Sequence, residues 1–447
     1  MTQQFSDTIA AIATPPGRGG VAIVRISGNQ LDSLIYGLLR RTLLPRQALY
    51  IPFHAENGEA IDHGIAIHFP APHSYTGDDV LELHCHGNPL LTHRLLQRAM
   101  ELGARLAQPG EFTQRAFLNG KLDLVQAEAI ADLINGTTEL AIRSAQRSLE
   151  GNFSKHINSM AQSLIELRIQ VEAKLDFSDE DIMVMDYESM EQRIDHILQT
   201  HNTLLEQARL GVILRDGYAI VLAGKPNSGK SSLLNCLSGK DSAIVTDIPG
   251  TTRDVLREPI QIDGMPLHVI DTAGLRQTDH PIESEGIRRA QIEMEKADRI
   301  LIIIDANSPS SDNIDIELPA NIPISRIYNK IDLTSLKPGL KKEGNITTLY
   351  ISTKTGAGLT ELREHLKQAA GFHAEGDDIF IARRRHLQAL QNSIDYLHEA
   401  KGECNVHNDE LLAECLRQAQ EALGEITGKV TADDMLGHIF SMFCLGK

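Results

Sequence analysis

At 447 residues the chain exceeds one ordinary domain, and its length divided by a typical domain size gives about three. Apolar residues make up 42% and charged residues 23%, a balance that excludes a disordered or fibrous chain. A formal net charge of -17 excludes a nucleic-acid binder that works through bulk positive charge, so any RNA contact is expected to be local or supplied by a partner. Aromatic residues are sparse and tryptophan is absent, so helical aliphatic packing is expected. The opening "MTQQFSDTIA" lacks a basic stretch followed by an apolar one, and no run approaches the ~20 apolar residues that span a bilayer; a cytoplasmic protein without membrane contact is expected. Cys85, Cys236, Cys404, Cys415 and Cys444 are odd in number and form no C-x-x-C pair, which fits reduced thiols better than a disulfide framework or a zinc ribbon.

To about residue 118, "TPPGRGG" reads as a Gly/Pro-rich loop and "GVAIVRISG", "GIAIHFPAP" and "DDVLELHCHG" as strands. Helices such as "PLLTHRLLQRAMELG" are interspersed, so this part is α/β or α+β. "HCHG", from His84 to Gly87, puts two imidazoles on one strand face, but no third ligand is evident and strand-edge histidines are expected rather than a metal centre. From Leu122 the period changes. Leu122, Val125, Ala129 and Leu133, and then Leu164, Leu167, Val171 and Leu175, fall at helical spacing, and long amphipathic helices are expected to about residue 210.

At Gly217 the pattern switches to apolar runs of strand length, "GYAIVLAG", "LHVIDTAG", "RILIIIDA", "ISRIYNK" and "TTLYIS", alternating with polar helical stretches. That is the signature of a doubly wound, mostly parallel sheet. "GKPNSGKS", from Gly224 to Ser231, matches G-x-x-x-x-G-K-[ST] between a strand and the helix "SSLLNCLSG". Its glycines let backbone N–H groups curl round phosphates while the helix N-terminus adds a positive dipole. Asn227, Ser228, Gly229, Lys230, Ser231 and Ser232 are therefore candidate nucleotide contacts, with Lys230 reaching the β- and γ-phosphates and Ser231 on magnesium.

Asp271 of "DTAG" ends an apolar strand, where a carboxylate can hold magnesium through water; Thr272 and Ala273 lead on to Gly274, which can approach the γ-phosphate. Asp332 of "NKID", with Asn329 and Lys330, can accept two hydrogen bonds from the guanine N1–H and 2-amino group. Adenine offers neither donor there, so GTP is expected. Ser352, Thr353 and Lys354 of "STK" add backbone and stem contacts to the base. Ras-like enzymes orient the attacking water with a glutamine after this segment, but Leu275 occupies that place. Arg276 and Glu283 are nearby candidates to offset charge and position water, though each reads equally well as a surface residue. Asn227 offers a side-chain oxygen that could ligate a monovalent cation in place of an arginine finger.

After about residue 375 the long helices resume, through "RRRHLQALQNSIDYLHEA" and "DELLAECLRQAQEALGEI". A helical domain interrupted by an α/β insert is the economical reading, because neither helical half is obviously able to bury its apolar face alone. "ARRRH", from Ala382 to His386, is the densest basic cluster and is expected to be a solvated helix face. The closing "FCLGK" places Cys444 four positions from Lys447, which leaves lipidation, a metal ligand, a reactive thiol and a bare tail as readings. Gly446 and Lys447 are poor for a C-a-a-X signal, and no further metal ligand is at hand.

"TDIPGTTRD", from Thr246 to Asp254, resembles the first switch of the Era-like GTPases, with Thr246, Asp247, Ile248, Pro249, Gly250, Thr251 and Thr252 along the nucleotide. "TPPGRGGVAIVRISG", "SYTGDDVLELHCHGN", "PGEFTQRAFLNGKLDLVQAEAIADLI", the inserted GTPase and "FCLGK" together resemble the tRNA-modifying GTPase family of that group, from one end of the chain to the other. The resemblance implies a multidomain α and α/β fold. Its parts would be an N-terminal folate-binding and dimerisation domain over 1–120, a discontinuous helical domain over 121–216 and 375–447, and an inserted Ras-like P-loop GTPase domain over 217–374. It also implies a homodimer that works with a flavoprotein, MnmG, which alone carries FAD. Together they add an aminomethyl or carboxymethylaminomethyl group to C5 of the wobble uridine, position 34, of certain tRNAs. The one-carbon donor would be 5,10-methylene- or 5-formyl-tetrahydrofolate.

Carried over by motif, the resemblance makes Asn227, Thr246, Ile248 and Thr251 the potassium ligands, and Thr252 joins Ser231 on magnesium. Glu283 of "PIESEG" matches the water-positioning glutamate. Arg25, Glu82, Lys121 and Lys447 match folate-binding positions, where a carboxylate can pair with the pterin's donor edge and cations suit the glutamate tail. Cys444 becomes a thiol delivered near the one-carbon donor. Asn88 and Ser228 depart from the glycine and alanine that are common at those places. The alternatives are an Era-like ribosome-assembly GTPase and a folate-binding scaffold with vestigial GTPase activity.

Overall fold

The computed structural model describes residues 7–176, 185–238, 257–271, 294–308, 319, 321–344, 346–372, 379–430, 433–444 and 446. Two compact units share the chain. The first comprises Met1–Ile134, Ser148–His201 and Ala389–Lys447, and the second Asn135–Arg147 and Asn202–Gln388. The architecture is multidomain, helical and α/β, as expected.

The first unit contains a six-stranded sheet of β1 (Ile9–Ile12), β2 (Gly19–Gly28), β3 (Leu49–His54), β4 (Ala60–Phe69), β5 (Asp79–Gly87) and β6 (Arg105–Leu106). Its order is β3-β4-β5-β2-β1-β6, antiparallel except for β1 with β6. Alternation along β5 explains the layering. Leu81, Leu83 and Cys85 are buried with Val24 and Ile26 of β2 against α1 (Asp32–Leu39) and α2 (Pro89–Glu101). Glu82, His84 and His86 therefore share the opposite face, because strand side chains alternate with period two. Asn88 caps α2, accepting from Leu90 N at 2.9 Å with Pro89 at the first helical position.

The helices of the first unit draw on both ends of the chain. α3 (Glu111–Leu118), α4 (Leu124–Asn135), α5 (Glu139–Leu149), α6 (Asn152–Asp176) and α7 (Tyr187–Asp216) precede most of the second unit, to which most of α5 and the second half of α7 belong. On α6, Leu164, Leu167 and Val171 are buried, and Arg168 Nη1 donates to Gln420 Oε1 at 2.8 Å on the late helix Asp409–Thr427. Lys429 Nζ donates to Asn158 Oδ1 at 2.7 Å. The early helix α6 of this unit thus bonds to the late segment when it returns. His201 of α7 is fully buried, with Nδ1 2.9 Å from Ile197 O and Nε2 3.2 Å from Ser393 Oγ, and burial pushes its pKa down to about 4.

The second unit holds a seven-stranded sheet of β7 (Tyr218–Ala223), β8 (Arg257–Ile262), β9 (Met265–Asp271), β10 (Arg299–Asp305), β11 (Ile324–Asn329), β12 (Gly339–Glu343) and β13 (Ile346–Tyr350). The order is β12-β13-β11-β10-β7-β9-β8; the five inner strands are parallel and the two edge strands antiparallel. Within "RILIIID" the five residues between Arg299 and Asp305 are apolar and buried because a parallel sheet is covered on both faces. α8 (Lys230–Leu237) follows β7, and α9 (Leu359–Ala369) follows β13. His365 of α9 lies 2.8 Å from Ser325 Oγ, which also accepts from Arg299 Nη1 at 3.0 Å; burial pushes this imidazole down to about 4.

One expectation is corrected. α10 (Arg384–Asn405) begins inside "ARRRH", and Arg383 and His386 are buried at 7% and 1% exposure. Arg383 N donates to His386 Nδ1 at 3.1 Å, a side-chain cap of the helix start. Helical spacing turns that pair inward, so the cluster is not a solvated face; Arg384, with 73% of its side chain exposed, is the outward member. α11 (Asp409–Thr427) and α12 (Asp433–Ser441) complete the described helices.

Candidate functional site

The reversal of strand order at β7 and β10 places the loop after β7 in the crevice where open parallel sheets bind ligands. At Gly229, with φ of 98°, a Cβ would run into the Asn329 side-chain amide, so the turn into α8 excludes other residues. Lys230 is buried at 6% exposure and its Nζ donates to Gly224 O and Lys225 O, each at 2.9 Å. The cation is thus folded back over the loop that it follows. Asn227 has φ of 63° and is exposed, and Ser231 and Ser232 are exposed on the first turn of α8. A lysine ammonium, two seryl hydroxyls and a helix N-terminus form a donor set suited to phosphate oxygens, with Ser231 also able to ligate a hard cation.

Asn329, at the end of β11, is fully buried and ties three loops together. Its Nδ2 donates to Ser228 O at 3.0 Å, and its Oδ1 accepts from Thr353 N at 3.1 Å. Asp332 is exposed, and its Oδ1 accepts from Ser352 Oγ at 2.6 Å, which orients the carboxylate through one oxygen. Lys330 takes the left-handed conformation, φ 66°, and its Nζ donates to Asp305 Oδ2 at 2.7 Å. That hydrogen bond holds the Asp305 carboxyl below its usual range. Lys354 is exposed beside the buried Ser352. Asp271 closes β9, its backbone paired with Leu222 of β7.

The segments 246–252, 272–274, Arg276, Glu283 and Lys447 lie outside the described residues, so the first-switch contacts, the potassium set beyond Asn227 and the candidate water-positioning groups have no geometry to report.

A cavity of about 360 Å³ lies in the first unit. Arg25, Ser74, Tyr75 and Lys121 supply its polar lining, and Leu122, Ile130, Leu133, Ile134 and Leu149 its apolar wall. Arg25 Nε and Nη2 both reach Glu82 Oε1, at 3.0 and 2.9 Å, and Nη1 donates to Gly446 O at 3.3 Å. The guanidinium lies 5.3 Å from the Tyr75 ring centroid and 5.8 Å from that of Phe112. Lys121 Nζ donates to Pro72 O at 3.0 Å. Tyr75 Oη is 2.8 Å from Thr113 Oγ1, and burial pushes its phenol pKa up. Cys444 is exposed, and its carbonyl accepts from Gly110 N at 3.4 Å. Arg25, Lys121, Glu82 and Gly446 are thus brought together; Glu82 stands behind Arg25 rather than in the lining.

Both histidines of "HCHG" are bound to carboxylates. His84 Nε2 is 3.3 Å from Glu82 Oε2, and His86 Nδ1 is 2.8 Å from Asp62 Oδ1. Cys85 is buried between them on the other face, its thiol pushed up to about 11 by desolvation. Among the described residues no group of three or more His, Cys, Asp or Glu could hold a metal ion, and no helix is long and apolar enough to cross a membrane. Sequence reasoning missed Asp305, which ends an apolar strand just as Asp271 does and could have been found by that signal. It also missed Tyr75 and the apolar wall, which carry no local signal.

A family model described as MnmE helical domain matches residues 124–444, and one described as GTP-binding protein TrmE N-terminus matches residues 8–121. The chain is similar to proteins named tRNA modification GTPase MnmE. It is 52% identical over 442 residues to that of Methylococcus capsulatus, 50% over 446 to that of Hydrogenovibrio crunogenus and 49% over 451 to that of Proteus mirabilis. Each match covers 99% of this chain and 99% of the relative.

Proposed function

The chain belongs to the MnmE family of tRNA modification GTPases, and from that premise we propose that it hydrolyses GTP to drive modification of the wobble uridine of tRNA. The observation that carries the nucleotide part is the Asn329 bridge, which fixes the phosphate loop, the Asp332 segment and Ser352–Lys354 as one constellation. Asp332 accepts from the guanine N1–H and 2-amino group, with Ser352 holding the carboxylate in place. Lys230 offsets charge on the β- and γ-phosphates. Ser231 and Thr252 would hold magnesium, and Asn227, Thr246, Ile248 and Thr251 potassium, which together stabilise negative charge developing on the phosphates. Glu283 orients the attacking water in the role that Leu275 cannot fill, and Arg276 adds charge beside it.

The cavity around Arg25, Lys121 and Tyr75 is proposed as the tetrahydrofolate site. Its volume and apolar wall suit a pterin and its aromatic linker, and its cations suit the glutamate tail. Lys447 would join it, and Cys444 would stand near the one-carbon unit. A homodimer acting with the flavoprotein MnmG completes the reading. The test is reconstitution with that flavoprotein, GTP, potassium and a folate donor on unmodified tRNA, read by mass spectrometry of the nucleosides. A modified wobble uridine is expected; unmodified uridine, or turnover indifferent to replacing potassium by sodium, overturns the corresponding part. Intact wobble modification in a deletion strain would favour a ribosome-assembly role.

A further inference from the structure

We propose that His84 is a positioning residue of the Arg25 cavity, acting through Glu82 on the guanidinium that meets the ligand. This rests on the reading of that cavity as a folate site. The starting point is an asymmetry in the Glu82 carboxylate. Arg25 uses two donors on the same oxygen, Oε1, which leaves Oε2 outside the pair. A carboxylate held through one oxygen keeps a broad terminal torsion, and as it turns it carries its partner with it. His84 Nε2, at 3.3 Å, is the group at Oε2. A carboxylate only accepts, so Nε2 carries the hydrogen, and the plane of Glu82 is then fixed at both ends.

The strand register explains why no cross-strand neighbour among the described residues does this. Glu82 and His84 are two apart on β5 and share a face. β2 sets Arg25 opposite Glu82 and Ile23 opposite His84, while β4 sets Ile67 and Ile65 opposite the same two residues. The cross-strand neighbours at the His84 rank are thus both isoleucines, and His86 is engaged by Asp62. Arg25 depends on this anchor because its other polar contact among the described residues, Gly446 O, is single and long at 3.3 Å. With Glu82 fixed, Arg25 keeps one N–H on each terminal nitrogen beyond its bonds to the described residues, on a guanidinium that lines the cavity, for acceptor atoms of a folate.

The test uses the full chain and 5-formyl-tetrahydrofolate, with affinity measured by calorimetry and folding checked by the melting temperature. His84→Leu removes the donor at similar volume and is expected to weaken binding about tenfold. His84→Gln, whose amide can donate to Oε2, is expected to restore it to within about threefold of the parent. Leucine binding as tightly as histidine overturns the proposal, as does glutamine binding no better than leucine in a chain that melts like the parent. If the parent chain itself fails to bind the folate while His84 is intact, the folate reading falls and this inference falls with it.

Discussion

The two candidate sites illustrate two ways of making a site from a sheet. In the second unit the candidate chemistry sits at the ends of parallel strands: β7 delivers the phosphate loop, β9 ends at Asp271, β11 at Asn329, and β13 leads to Ser352. In the first unit it sits on the face of an antiparallel sheet, where Arg25 and Glu82 meet across two strands and Lys121 and Gly446 arrive from elsewhere. Strand-end sites are built from contiguous loops with backbone donors, so a few residues at fixed spacing define them. Face sites are built from single side chains contributed by distant segments. Each such residue supplies one contact, and removing one should cost less.

That contrast can be broken by substitution. Lys230→Ala removes the cation of the phosphate loop and is expected to lower GTP turnover by ~10²–10³-fold in a phosphate-release assay; a smaller loss would mean that the strand-end site is as diffuse as the other. Asp332→Asn gives up two hydrogen bonds to a charged acceptor, about 3 kcal/mol, so GTP affinity should fall about a hundredfold. Xanthosine triphosphate, whose 2-oxo group accepts from the new amide, should then bind better than GTP. On the sheet face, Lys121→Ala should weaken 5-formyl-tetrahydrofolate only about tenfold, because one exposed charged contact is lost. A collapse of binding would show that the face site is as concentrated as the loop site.

The smallest effect treats the two units alike. His201 and His365 are both pushed by burial to about 4 from an ordinary 6.5. Below pH 6.5 the unfolded chain takes up protons that the folded chain refuses. The stabilisation from the neutral imidazoles is therefore complete above about 6.5 and is lost progressively as the pH falls toward 4. Melting temperatures should be flat above neutrality and drop by several degrees by pH 5; a flat profile through pH 5 would remove this role from both histidines.

Legibility in the sequence follows the same division. "GKPNSGKS", "NKID" and "STK" each announced a strand-end loop, and the parallel core followed from unbroken apolar runs. The edge strands β8 and β12 were not legible, since "REPIQI" and "GLKKE" need satisfy only one neighbour and show no apolar run. Nor was the double bond of Asn329, because nothing in "NKID" says that its first residue reaches back to Ser228. On the sheet face, Arg25, Glu82 and Lys121 came from family resemblance alone. The wall of Ile130, Leu133 and Leu149 looked like ordinary helix core, because the helical period does not distinguish a side chain that packs on protein from one that borders a cavity.

The bond from Arg25 to Gly446 spans 421 positions. At about 5–20 residues per second, a ribosome needs roughly 20 to 80 s to pass from one to the other. During that time the N-terminal sheet can emerge and pair Arg25 with Glu82, and the whole second unit can be synthesised, before the last acceptor of the guanidinium leaves the exit tunnel. The pocket that begins forming with the N-terminal sheet is therefore closed only after the second unit has been made.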